Sequence, residues 1–287
     1  MIYVGTCGYA YRDWIGPFYP AKIKPSEMLG YYAQRFRAVE IDASYYGVPA
    51  VTTIAGMNAR TPSDFRFSFK APQTVTHAPD LQAARVHDDA RLLRERLEPM
   101  REAGKLAAVL LQFPNGFQPS VANEAYLRAA VGAFAGVPLV VEFRHRRWQD
   151  AATLTLLREL RAGWSNVDMP AHEALLAPSS DATSDVGYVR FHGRNAAQWW
   201  TGNNVTRYAY DYVPDELIPW ADRLAEIDEQ VETVYAFFNN HAFGSAARDA
   251  SLLEALLEDR YGAGAPVNLA RPSTTAPTQD ALPGLQT

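Results

Sequence analysis

Residues 38–44 read AVEIDAS. Side chains along a strand alternate faces, so Val39 and Ile41 share one side while Glu40 and Asp42 share the other. The same split recurs further along. FRFSFK (65–70) sets Phe65, Phe67 and Phe69 against Arg66, Ser68 and Lys70. VVEFR (140–144) sets Val141 and Phe143 against Glu142 and Arg144, and YVRFH (188–192) sets Val189 and Phe191 against Arg190 and His192. A strand packed on helices turns its apolar side to them, so the polar side of each segment faces a common interior.

Working outward, eight short hydrophobic segments follow one another: 3–7, 38–44, 65–70, 106–113, 138–143, 162–168, 187–193 and 233–240. Helical patterns lie between most of them, at Ser26–Phe36, Val51–Ala59, Leu81–Ala103, Val121–Phe134, Ala151–Arg161, Pro214–Ile227 and Ser245–Asp259. Ser26 and Ser245 stand where N-caps belong. Strands alternating with helices favour a parallel sheet over an antiparallel one with a wet face. The chain therefore reads as α/β, a single (β/α)₈ TIM barrel with its working residues at the C-terminal strand ends. The sixth unit is irregular, because PAHEALLAPSSDATSD after Asp168 leaves room for one short helical turn at most. Residues 1–262 form the barrel domain. Residues 263–287, rich in Ala, Pro and Thr, read as a flexible tail.

The length of 287 residues suits one barrel, typically about 250 residues. A net charge of −5 gives no global basic field to draw nucleic acid. Cys7 is the single cysteine, which excludes an intramolecular disulfide and points to a reducing, cytoplasmic setting. No stretch approaches a membrane span, so no membrane partner is expected. The sequence is silent on oligomeric state.

The interior face carries Glu40, Asp42, Lys70, Gln112, Glu142, Arg144, Asp168, Arg190 and His192. So many charges are expensive to bury unless paired. Paired carboxylates such as Glu142 with Glu40 or Asp42 suit general acid/base work, with Asp168 in the same class. Asp42, Glu142, Asp168 and His192 are of metal-ligating type, but Lys70, Arg144 and Arg190 share their space; no metal and no cofactor is expected. The cations suit a phosphate or carboxylate. Arg190 and His192, the Gly193 backbone and the helix beginning near Ser245 would form its site. The competing account is a self-neutralising salt-bridge network that only fixes the barrel. Three strand-following loops are aromatic: Tyr9, Tyr11, Trp14, Phe18 and Tyr19; Tyr45 and Tyr46; Trp199, Trp200, Tyr208, Tyr210 and Tyr212. Flat walls suit sugars and bases, and also simple loop packing. His77, Asn239 and Asn240 end or follow strands and join the ligand-binding set with Tyr9, Trp14 and Tyr46.

The motifs VGTCGYAYRDWIGPFYP, VEIDASYYGVP, FRFSFKAPQTVTH, LLQFP, VEFRHRRW, YVRFHG and YAFFNNHAFG resemble those of the domain of unknown function 72 (DUF72) family, the YecE-like TIM-barrel proteins. The resemblance runs from about Tyr3 to Leu257. It implies a TIM barrel and supplies no reaction. By motif, Glu40, Lys70, His77, Gln112, Glu142, Arg144, Asp168, Arg190, His192, Asn239 and Asn240 stand where the family places its polar residues. ASYYG and WSNVDMP depart from the family's usual pattern.

These observations lead to an expected enzyme, of hydrolase or isomerase type, acting on a small anionic or phosphorylated sugar or nucleotide by acid/base chemistry. Two alternatives stand beside it. One is an endonuclease-like protein binding single-stranded or damaged DNA, favoured by a basic rim of Arg12, Lys22, Lys24, Arg146, Arg147, Arg194 and Arg207. The other is a non-catalytic ligand sensor.

Overall fold

The period-two segments become strands β1 (Ile2–Cys7), β2 (Ala38–Ile41), β3 (Arg66–Lys70), β4 (Leu106–Gln112), β5 (Leu139–Glu142), β6 (Gly163–Asp168), β7 (Val186–Phe191) and β8 (Thr233–Phe238). In this computed structural model, which describes residues 1–77 and 84–262 (side chains of 84–87 excepted), they pair in sequence order and all in parallel, and β1 closes on β8. The intervening helices are α1 (Pro25–Tyr32), α2 (Val51–Ala59), α3 (Gln73–Thr76), α4 (Ala84–Glu102), α5 (Val121–Ala133), α6 (Ala151–Glu159), α7 (Pro214–Asp228) and α8 (Ser245–Tyr261). The expected tail, 263–287, and the expected helical turn at Leu81–Ala83 lie outside the described residues. No helix among the described residues is long and apolar enough to cross a membrane.

Alternation sorts the core into two layers. Phe65, Phe67, Phe69, Val141, Phe143 and Phe191 point outward into the strand–helix layer. Tyr3, Cys7, Leu110, Val140, Tyr188 and Phe237 fill the lumen. Tyr3 and Tyr235, with ring centroids 5.3 Å apart, plug its N-terminal end.

Between β6 and β7 there is no helix. The segment that replaces it is fastened by one side chain. Asn166 donates to the Asp181 carbonyl (2.9 Å) and accepts from Ser179 Oγ (2.7 Å) and the Asp181 amide (3.0 Å). Asn166 therefore points out of the barrel, and Asp168 with it. The expected placement of Asp168 in the lumen is corrected: its carboxylate meets Trp220 of α7 instead.

Neither expected N-cap serves as one. Helix α1 begins at Pro25, where the missing amide proton is harmless, and its cap is Lys24, whose backbone N–H donates to Glu27 at 2.9 Å. Helix α8 is entered through Gly244 at φ 80°, and the Ser245 hydroxyl donates back to the Ala242 carbonyl at 2.8 Å.

Candidate active site in the barrel mouth

Strand β7 delivers Arg190 to the centre of the lumen near its C-terminal end. One guanidinium nitrogen donates to Glu40 Oε1 of β2 at 2.6 Å, the other to Glu142 Oε2 of β5 at 2.9 Å. Glu40 and Glu142 are fully buried, and Arg190 shows only an edge to the cavity above. Tyr188, two residues before Arg190 and hence on the same face, donates to the other Glu40 oxygen at 2.6 Å. Arg144 lies on the far side of Glu142, with Nε 2.5 Å from Oε1. The expected pairing of Glu142 with a lumen cation is thus met twice.

His192 completes the cluster. Its Nε2 lies 3.2 Å from Glu142 Oε1, close but not aligned as a hydrogen bond. Its Nδ1 lies 3.1 Å from the Asn239 amide nitrogen. Burial and the Arg144 charge push His192 down to about 3, so the ring is neutral.

The two glutamates diverge. Burial opposes ionisation of Glu142, but the Arg144 and Arg190 charges overcome it and hold the carboxyl well below its ordinary value. Glu40 is equally buried, shares only Arg190, and has Asp42 nearby; it is pushed up to about 7. Two carboxyls on one guanidinium, driven apart, mark different proton roles. Glu142, the first choice as acid/base from sequence, is a fixed negative charge. Glu40 is the member able to hold a proton near neutrality.

Above this cluster opens a cavity of about 920 Å³. Of the expected site residues, Tyr9, Asp42, Tyr46, Lys70, His77, Gln112, Arg144, Arg190 and Asn239 line it. Glu40, Glu142 and His192 lie beneath, fully buried. Trp14 is a packing residue, fully buried, with its indole N–H donating to the His241 carbonyl at 2.7 Å. Asn240 braces the loop after β7, donating to the Tyr210 carbonyl (2.8 Å) and to Asp249 (2.6 Å). Asn115, Trp199, Trp200, Arg207, Tyr208 and His241 also line the cavity. The sequence places Trp199, Trp200 and Tyr208 in an aromatic loop at the active face and Arg207 on its rim, and all four line the cavity. Asn115 was missed, although its place just beyond the β4 end was a usable signal.

Lys70 holds its ammonium 4.4 Å above the Tyr45 ring, and no carboxylate among the described residues pairs with it. His77 packs edge-on against the same ring at 5.1 Å. Burial first, then Lys70 and Arg144, push His77 down to about 4, so it faces the cavity neutral. Arg144 lies over the Trp199 ring at 5.9 Å.

Asp168 holds the loop after β7 in place. It accepts from Arg194 Nε (2.9 Å) and Nη2 (2.6 Å), from the Tyr212 hydroxyl (2.6 Å) and from the Trp220 indole (2.6 Å). Arg194 begins the loop and Tyr212 ends it, so one carboxylate pins both ends of the segment bearing Trp199, Trp200 and Tyr208. Asp168 does not reach the cavity and is a positioning residue.

The anion site expected around Arg190, His192, Gly193 and Ser245 does not form. Arg190 serves two carboxylates, and His192 is sealed. The Gly193 amide donates to the Tyr212 hydroxyl at 3.0 Å. Ser245 is buried behind a short turn, Ala242–Gly244. The cationic groups that face the cavity include Lys70, with no carboxylate partner among the described residues, and Arg144, whose Nε is held by Glu142 while the rest of its guanidinium lies toward Trp199. The donor atoms of Cys7, Glu40 and Asp42 lie within 4.8 Å of one another. They do not fit a metal, because Arg190 Nη2 sits 2.6 Å from Glu40 and 3.5 Å from the Cys7 sulfur, and burial, then Glu40, push the thiol up.

A closed parallel barrel with its charged cluster and aromatic-walled cavity at the C-terminal strand ends defines a TIM-barrel protein. Residues 3–274 match the family described as "Protein of unknown function DUF72". The UPF0759 protein YunF of Bacillus subtilis is 32% identical over 94% of this chain and 99% of its own. The Escherichia coli UPF0759 protein YecE is 30% identical over a shorter stretch, 42% of this chain and 40% of its own. A crystal structure of a DUF72 family protein from Thermotoga maritima superposes with a TM-score of 0.84 at 35% identity, covering 90% of this chain and 99% of that one. One from Enterococcus faecalis gives 0.79 at 25% identity over 90% and 96%. The chain belongs to the DUF72 family.

Proposed function

We propose that this barrel is an enzyme, of hydrolase or isomerase type, that takes an anionic or phosphorylated sugar or nucleotide into its mouth and acts on it by proton transfer. The observation that carries the reading is the meeting of Lys70 and Arg144 in one aromatic-walled cavity of about 920 Å³, within the roughly 300–1,000 Å³ of small-molecule sites. Lys70 and Arg144 take the anion. Tyr9, Tyr46 and Trp199 flank the attached ring. Glu40 is the proton reservoir, Arg190 links it to Glu142, and Glu142 fixes Arg144 and Arg190 in place. A reducing, cytoplasmic setting belongs to this reading, supported by the single, buried Cys7.

The second reading is a single-stranded or damaged nucleic acid. Tyr46 and Trp200, 71% and 50% exposed at the cavity rim, favour it as stacking platforms. The basic rim it needs is thin. Of the seven rim cations named from sequence only Arg207 lines the cavity, and Arg194 is engaged by Asp168 and Glu216. Tryptophan fluorescence decides between them: titrate adenosine monophosphate and a short oligothymidine into wild type, Lys70→Ala and Arg144→Ala. The enzyme reading predicts mononucleotide binding that both variants weaken. Tight oligothymidine binding without mononucleotide binding would reverse the order of the two readings.

A further inference from the structure

We propose that the cavity selects a polyhydroxylated anion, a sugar phosphate in chemical class, because its wall presents three hydrogen-bond acceptors from the ends of β2, β4 and β8: Asp42, Gln112 and Asn239. The inference rests on the anion reading above and narrows it.

Each acceptor is fixed by what lies behind it. Gln112 Nε2 donates to the Phe113 carbonyl at 2.8 Å. A carbonyl only accepts, so the amide cannot turn round, and Gln112 Oε1 is left for the cavity the residue lines. Asn239 is oriented by a longer chain. Glu142 Oε1 stands 3.2 Å from His192 Nε2, off the line of a hydrogen bond, and an unprotonated nitrogen that close to a carboxylate would be repelled. The neutral ring therefore carries its proton on Nε2, and Nδ1 is the acceptor. Asn239 must offer Nδ1 its amino group, at 3.1 Å, which leaves Asn239 Oδ1 as an acceptor for the cavity. Asp42 is the third. Its Oδ1 is buried without a donor, and Arg190 Nη2, at 3.7 Å, is beyond hydrogen-bond range.

Asp42 Oδ1, buried without a donor, requires one, and Gln112 Oε1 and Asn239 Oδ1 stand open to the same cavity. Cationic donors are excluded by Lys70, Arg144 and Arg207 in the same cavity. A bare phosphate at neutral pH offers too few protons for three acceptors. Neutral hydroxyl groups spaced along a short carbon chain meet the requirement, with the phosphate against Lys70 and Arg144. The acceptors come from even-numbered strands and the two cations from the ends of β3 and β5, so ligand hydroxyls and ligand anion find different parts of the ring.

Calorimetry with ribose 5-phosphate, n-butyl phosphate and inorganic phosphate tests this. The butyl ester matches the apolar bulk and lacks the hydroxyls. Wild type should bind ribose 5-phosphate at least about tenfold more tightly than butyl phosphate. Asp42→Ala and Gln112→Ala should each reduce that ratio several-fold. Lys70→Ala should weaken both esters and leave the ratio in place. A wild-type ratio near one, or a ratio unchanged in both acceptor variants, would overturn the inference while the anion reading stands. Absence of binding by all three phosphates would instead overturn the anion reading, and the inference with it.

Discussion

Arg190 meets Glu40 at 2.6 Å in the sealed centre of the barrel, and Glu40 nevertheless titrates near neutrality. Burial outweighs the single guanidinium that it shares with Glu142. The folded pKa of about 7 lies above the unfolded value near 4.5. Below pH 4.5 both states hold the proton; between 4.5 and 7 only the folded state does. Stability from this group is therefore present at low pH and lost as pH rises through about 7. The full change is about 3 kcal/mol. Urea unfolding of wild type and Glu40→Gln from pH 4 to 8 should show a wild-type decline that the variant lacks, and parallel curves would refute this.

His192 carries the opposite sign. Its pKa falls from 6.5 to about 3 on folding, so it adds stability that is present above pH 6.5 and lost as pH falls toward 3. Replacing His192 by Gln should flatten the acid limb of the stability profile. An unaltered limb would show that the ring is protonated in the folded protein.

Glu142 is the charge on which Arg144 and Arg190 both depend. Removing one partner of a buried ion pair costs about 3–5 kcal/mol. Glu142→Gln should lose on that order in chemical denaturation, and a change under about 1 kcal/mol would mean that the arginines find other partners.

Asp168→Asn should free the loop after β7 while leaving the barrel intact. Arg194 loses its charge partner, and the Tyr212 and Trp220 donors lose their carboxylate. Limited proteolysis should cut between Arg194 and Tyr212 at least about tenfold faster than in wild type, with near-native circular dichroism. Equal cleavage rates would show that packing alone holds the loop.

The barrel and most of its interior were legible because alternation in VEID, FRFSFK, VVEFR and YVRFH separates apolar from polar faces without ambiguity. In β6 it does not. WSNVD puts Trp164, Asn166 and Asp168 on one side and Ser165 and Val167 on the other, both mixed. Asp168 was therefore read as facing inward when it faces α7. The anion site was misplaced for a different reason. Gly193 and the start of α8 look available in sequence, and only tertiary contacts occupy them: the Tyr212 hydroxyl on Gly193, and Asp13 on the backbone of Phe243, which is held at φ 55°. Trp14 reads like the wall aromatics around it, but it packs inward against Tyr11, Phe18 and Tyr19 and its indole N–H meets a carbonyl 227 residues away.

In the proposed function, Lys70 and Arg144 together bind the anion at the barrel mouth. Calorimetric titration of inorganic phosphate into wild type and Lys70→Ala/Arg144→Ala, at low ionic strength and again at about 0.5 M salt, tests it most directly. Wild type should bind saturably and more weakly in salt, and the double variant should not bind. Identical heats from the two proteins, or wild-type heats indifferent to salt, would contradict it.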